Sequence, residues 1–143
     1  MPLCHLPSAL LGRLMEEARS AAPLEACGLL VGRRDVDAIT IEELVMSANL
    51  AEGDRRRRFM IDPQLHFETL RSLRGSAREV VGVFHSHPGG EPFPSASDAE
   101  MAIEAEFVWV IVSVDGEGKT RTRAHLAVGD GAGVKPIQLA IEP

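Results

Sequence analysis

The chain has 143 residues, 45% of them apolar and 25% charged. That composition suits one globular domain, excludes a disordered chain, and falls well short of the roughly 250 residues of a (β/α)₈ barrel. The formal net charge of −6 argues against a general nucleic-acid binder, which draws its affinity from neutralising phosphates, and no run of about 18 uncharged apolar residues offers a membrane span. The N-terminus shows no basic segment followed by an apolar run and a cleavage site, so a cytoplasmic protein is expected. Cys4 and Cys27 are too few for a disulfide scaffold and match no cysteine-rich zinc motif; both are expected to be reduced.

The segment before Ser8 is expected to be mobile. From Ser8 to Ala22 the pattern is helical: Leu10, Leu11, Leu14, Met15 and Ala18 recur on one face, with Ser8 as the expected cap. Pro23 follows the helix end. Cys27–Gly32 is a short apolar run between glycines and predicts a buried strand, and Ile39–Met46 predicts a second. Asn49–Arg58 is polar; its basic run, Arg55–Arg58, is either a solvated loop or a docking surface for an acidic partner. Phe59–Ile61 predicts a brief strand.

Asp62-Pro63 opens a helix with a cap and a proline at its first position, and Gly75 stops it. Glu79–Phe84 is a valine-rich strand leading into two histidines. Ser95 is expected to open a helix through Ala105. Phe107–Val114 is the strongest strand, Gly116–Gly118 a hairpin turn and Thr120–Val128 the return. Gly133–Ile141 predicts one last edge strand. The order implies an α/β sandwich, a mixed sheet with helices outside it.

The chemistry concentrates in Phe84-His85-Ser86-His87-Pro88 and Pro94-Ser95-Ala96-Ser97-Asp98. Residues two apart on a strand project from the same face, so the imidazoles of His85 and His87 can converge. Asp98, in the first turn of the next helix, could return to the same point. Two imidazoles and a carboxylate suit zinc and leave a fourth position for water, as in catalytic rather than structural sites. Ser95 and Asp98 also read as a capping box, a role that competes with ligation only for the carboxylate. Glu25, just before an apolar strand, is the upstream candidate for a general base; spacing alone favours a solvated loop glutamate. His5, His66 and His125 receive no role. Cys27 lies in an apolar run and reads as a core thiol.

Glu25, His85-Ser86-His87-Pro88 and Ser95-x-x-Asp98 together resemble the signature of the JAMM (MPN+) zinc metalloproteases. The flank Pro23–Gly32 is similar to the short prokaryotic members, and Val108–Ser113 to the strand that follows the metal helix. The resemblance spans about Leu10–Val128. It implies a single JAMM/MPN+ domain over residues 1–143, with a mixed β-sheet flanked by helices in a cytidine-deaminase-like architecture. It implies one Zn²⁺ held by His85, His87 and Asp98. Glu25 would take a proton from the zinc-bound water and pass it to the leaving amine, and Ser95 would hydrogen-bond the oxyanion. The implied reaction is hydrolysis after the C-terminal Gly-Gly of a ubiquitin-like sulfur-carrier protein or its conjugates. The extended tail is expected to add to a sheet edge beside the zinc.

The alternative is a non-catalytic MPN-type scaffold that retains zinc; the presence of Glu25 and Ser95 speaks against it. Other zinc hydrolases fit less well, since the zinc nucleobase deaminases need a Pro-Cys-x-x-Cys segment that is absent. The sequence leaves monomer and homodimer equally open.

Overall fold

Valine-rich runs become the centre of one sheet, because strands buried on both faces need apolar side chains on both sides. A computed structural model of the chain describes residues 2–95, 98, 106–129 and 132–143. Its elements in chain order are β1 (Leu3–Pro7), α1 (Ser8–Ala21), β2 (Cys27–Arg34), β3 (Ala38–Ser47), α2 (Pro63–Ser72), β4 (Glu79–Pro88), β5 (Val108–Val114), β6 (Thr120–Ala127), β7 (Val134–Ile137) and β8 (Leu139–Glu142). All eight strands join one sheet in the order β7-β6-β5-β4-β2-β3-β1-β8. The β4–β5, β1–β3 and β1–β8 pairs are parallel and the others antiparallel. The expected mixed sheet with flanking helices is therefore the fold.

Several local expectations change. The segment before Ser8 is not mobile: it is β1, paired on both sides, with Cys4 and Leu6 fully buried. Alternating apolar residues over so short a run gave too little pattern to see. Ser8 is the first helical residue rather than the cap; Pro7 occupies the cap position and no side chain bonds there. The single edge strand expected at Gly133–Ile141 is two strands, β7 and β8, at opposite ends of the sheet order and joined by Gln138 alone. One residue spans only a few ångströms, so the sheet must curl until its two ends meet.

The curl encloses α1. Leu14 and Ala18 of the helix pack with Leu30, Phe84, Val110 and Leu126 from successive strands. On the opposite face a second cluster forms around Phe59, Val83 and Trp109. Burying a side chain the size of phenylalanine or leucine stabilises by about 1.5–3 kcal/mol, so both faces contribute to the fold.

β4 switches its alternation near its start. Leu30 pairs with Gly82 and Val31 with Val80, which leaves Val81 as an extra residue in the β2–β4 ladder. The irregularity sets which β4 side chains face which cluster: Val81 and Phe84 join the helix side, Val83 the other. Gly82 is required in this stretch, because a Cβ there would run into the carbonyl of Val108 where β5 begins.

α2 follows its sequence signals closely. Asp62 accepts from the backbone N–H of Gln64, Pro63 follows it, and Gly75 takes a positive φ of 77° just beyond the helix. The brief strand expected at Phe59–Ile61 reduces to one bridge between Ile61 and Asn49. Phe59 instead turns inward and is buried. The helix expected over Ser95–Ala105 lies largely outside the described residues.

Candidate metal and catalytic site

β4 carries His85 and His87 on the face opposite α1, as alternation requires. Phe59 stacks on the His85 ring at 4.3 Å with an interplanar angle of 14°. Trp109 meets the same ring edge-on at 5.5 Å. These two rings leave His85 fully buried and fix its orientation. The Nδ1–H of His87 donates to the carbonyl of Glu91 at 2.8 Å. That bond places the proton on Nδ1 and leaves Nε2 with a free lone pair, the tautomer a metal ligand needs.

Asp98 completes the group. Its Oδ2 lies 3.0 Å from Nε2 of His85 and 3.0 Å from Nε2 of His87, and the two nitrogens are 3.0 Å apart. Around a tetrahedral zinc with bonds of about 2.0–2.1 Å, ligand atoms sit about 3.3 Å from one another. The observed triangle is close to that spacing. A proton can bridge only one pair of these three atoms at a time, so a cation satisfies them better than hydrogen bonds do. The donor set of two imidazoles and a carboxylate, all mainly buried, fits a metal site.

Ser95 and Asp98 also form the expected capping box. The backbone N–H of Asp98 donates to Ser95 Oγ at 3.1 Å, and the N–H of Ser95 donates to Asp98 Oδ2 at 2.9 Å. The capping and ligation readings are therefore compatible at one oxygen, since a carboxylate oxygen has more than one lone-pair direction.

Glu25 is not a solvated loop residue. It is only 4% exposed, and among the described residues its Oε1 has no hydrogen-bond partner. It offers an oxygen within 4.8 Å of the ligand atoms of His85 and His87. Burial pushes its carboxyl up to about 8; the His87 ring pulls the other way, and Asp98 adds to the rise. Burial also works to raise Asp98, but the adjacent His85 and His87 rings and the Ser95 N–H outweigh it and hold that carboxyl far below the usual range. Burial lowers His85. Two carboxyls in one site are thus driven apart, one toward proton exchange near neutral pH and one toward permanent ionisation, a pattern typical of acid–base sites.

Two positions that sequence reasoning passed over hold this arrangement. Ser86 points away from the histidines, and its hydroxyl accepts from the backbone N–H of Ala26 at 2.7 Å, while its own N–H donates to the Ala26 carbonyl at 3.0 Å. Asn49 bonds the carbonyl of Glu25 at 3.1 Å. Alternation alone shows that Ser86 must face away from its neighbours; what it meets there depends on pairing with β2. Among the described residues β4 pairs with β5 up to Pro88 but with β2 only up to His85, so its β2 side carries no strand partner alongside His87.

A mixed sheet with this donor set and a buried carboxyl beside it defines the class as that of the metallopeptidases. Residues 7–126 match the family described as prokaryotic homologs of the JAB domain, and the chain belongs to that family. It is 34% identical to the desampylase of Haloferax volcanii over 122 residues, covering 85% of this chain and 83% of that one. It is 25% identical to the CysO-cysteine peptidase of Mycobacterium tuberculosis over 130 residues, covering 91% and 86%. A solution structure of a Desulfitobacterium hafniense protein superposes with a TM-score of 0.81 at 28% identity, covering 98% of this chain and 92% of that one.

Proposed function

We propose that this chain, folded as a single domain over residues 1–143, is a zinc-dependent peptidase or isopeptidase. It would hydrolyse the bond after the C-terminal Gly-Gly of a ubiquitin-like sulfur-carrier protein. His85, His87 and Asp98 hold the ion. Zinc, when bound, supplies a Lewis acid that polarises the scissile carbonyl and makes water acidic enough to attack at neutral pH. Glu25 accepts the proton of the attacking water and hands it to the leaving amine, a role for which its buried carboxyl beside the donor set is placed. Ser95 donates its hydroxyl to the oxyanion; the hydroxyl also accepts the Asp98 N–H, which fixes where it stands.

The observation that carries this reading is the 3.0 Å triangle of His85, His87 and Asp98 atoms with the partnerless buried oxygen of Glu25 beside it. The names of the relatives, a desampylase and a CysO-cysteine peptidase, support a carrier-protein adduct as substrate. None of the described helices is long and apolar enough to cross a membrane.

The test is a cleavage assay read by intact mass. Each small Gly-Gly-ending carrier of the host, extended by cysteine or joined to a lysine-containing peptide, is incubated with the protein, with and without chelator. Chelator-sensitive loss of the extension is the expected result. Bound zinc with no cleavage of any adduct would overturn the peptidase reading in favour of a scaffold.

A further inference from the structure

One side chain outside the donor set has every hydrogen-bonding position filled. Asn49 Nδ2 donates to the carbonyl of Glu25 at 3.1 Å and to that of Arg58 at 2.9 Å. Its Oδ1 accepts from the N–H of Ala51 and the N–H of Met60, both at 3.0 Å. An amide has two donor hydrogens and two acceptor lone pairs, and here two carbonyls and two N–H groups fix which end is nitrogen. The chain leaves Asn49 and returns at Met60, so this amide, with the Asn49–Ile61 bridge beside it, closes the loop that carries Arg55–Arg58.

The same loop grips Glu25 a second time. The N–H of Glu25 donates to the carbonyl of Arg55 at 2.8 Å. Both backbone polar groups of Glu25 are therefore held by residues 49–58, while its carboxyl oxygen Oε1 has no partner among the described residues. A side chain with so little holding it directly takes its position from its backbone. On the other side Ala26 is fastened to Ser86.

We propose that Asn49 is a positioning residue for the proton-carrying carboxyl of Glu25, a role that rests on the peptidase reading above. Asparagine is needed because aspartate would aim an oxygen at two carbonyls, and an apolar residue would leave four backbone groups unpaired. The consequence is specific: loosening Asn49 frees the backbone of Glu25 directly, while no hydrogen bond joins Asn49 to the side chains of His85, His87 or Asp98.

The test is Asn49→Asp, which keeps size and both acceptor bonds and removes both donor bonds. With an extended carrier as substrate, kcat is expected to fall about ten- to a hundredfold, the range typical when a partner that orients a site residue is lost, with KM within about twofold. Backbone amide exchange at Glu25 is expected to quicken at least about tenfold, with Leu29 and Leu30 in β2 unchanged. An unchanged kcat, or unchanged exchange at Glu25, would overturn the proposal. If the variant does not fold, the wild type decides: the Asn49 side-chain amide and the Glu25 N–H should exchange with one common opening rate, and rates more than tenfold apart would refute the tether. Failure of the wild type to cleave any carrier would refute the peptidase reading instead, and the exchange rates would then judge the tether alone.

Discussion

The two faces of the sheet are made from the same strands and serve different ends. The cluster on the face toward α1 is apolar, and among its described members only the buried Cys4 thiol titrates. Burial pushes that thiol up to about 12, so it behaves as one more small apolar group. The opposite face is buried just as deeply at His85, but there burial falls on groups that can carry charge. Burial costs the first face nothing and gives stability. On the second it raises Glu25 and lowers His85, which costs stability and gives reactivity.

If this division is real, substitutions on the two faces should separate activity from stability. The largest effect is expected at Glu25→Gln on the site face. Loss of the proton carrier should lower kcat about 10²- to 10⁴-fold, while metal content, read by elemental analysis, stays at the wild-type level. Stripping the metal with a chelator should abolish turnover, and added zinc should restore it. On the helix face, Phe84→Ala should cost about 3–5 kcal/mol in denaturant unfolding, with turnover per folded molecule unchanged. A helix-face variant that unfolds no more easily, or one that loses turnover while folded, would break the comparison.

The cost paid by the site face is itself measurable. In the metal-free protein the Glu25 carboxyl is raised from an ordinary carboxylate value to about 8. The folded state then holds a proton that the unfolded chain has already released. Stability is therefore fully present below the unfolded value and is lost as pH rises toward 8. The loss should be on the order of a few kcal/mol, and Glu25→Gln should flatten that slope. A metal-free wild type whose stability changes with pH between 5 and 8 no differently from Glu25→Gln would show that Glu25 is hydrated rather than buried.

Much of this division is visible before folding. Helical spacing marks α1, Asp62-Pro63 marks the start of α2, and the two-residue spacing of His85 and His87 puts both rings on one face whatever the partner strands are. Asp98 is legible because a capping box fixes its place relative to Ser95. What is not legible depends on pairing between distant segments. The split of the last strand at Gln138 follows from which ends of the sheet β7 and β8 join, and nothing local to Val134–Glu142 encodes that choice. The burial of Glu25 follows from a loop more than twenty residues later folding over it, so its own neighbours place it before a strand but favour an exposed carboxylate. Asn49 and Ser86 were unremarked for the same reason: each acts through a backbone group of a segment far along the chain.

Ser86 is where the comparison can be sharpened most finely. By alternation it faces the α1 side, yet its hydroxyl holds the residue next to Glu25. Ser86→Ala removes the acceptor and leaves the buried N–H of Ala26 unsatisfied, which should cost about 1–3 kcal/mol. If the hydroxyl merely filled space, stability would fall and kcat would not. If it anchors β2 where Glu25 enters the site, kcat should fall severalfold with KM unchanged, in addition to the loss of stability. Measuring both on the same preparation, below its unfolding transition, separates the two. A fall in kcat would show that a residue on the structural face serves the chemical one, through a single hydrogen bond across β2 and β4.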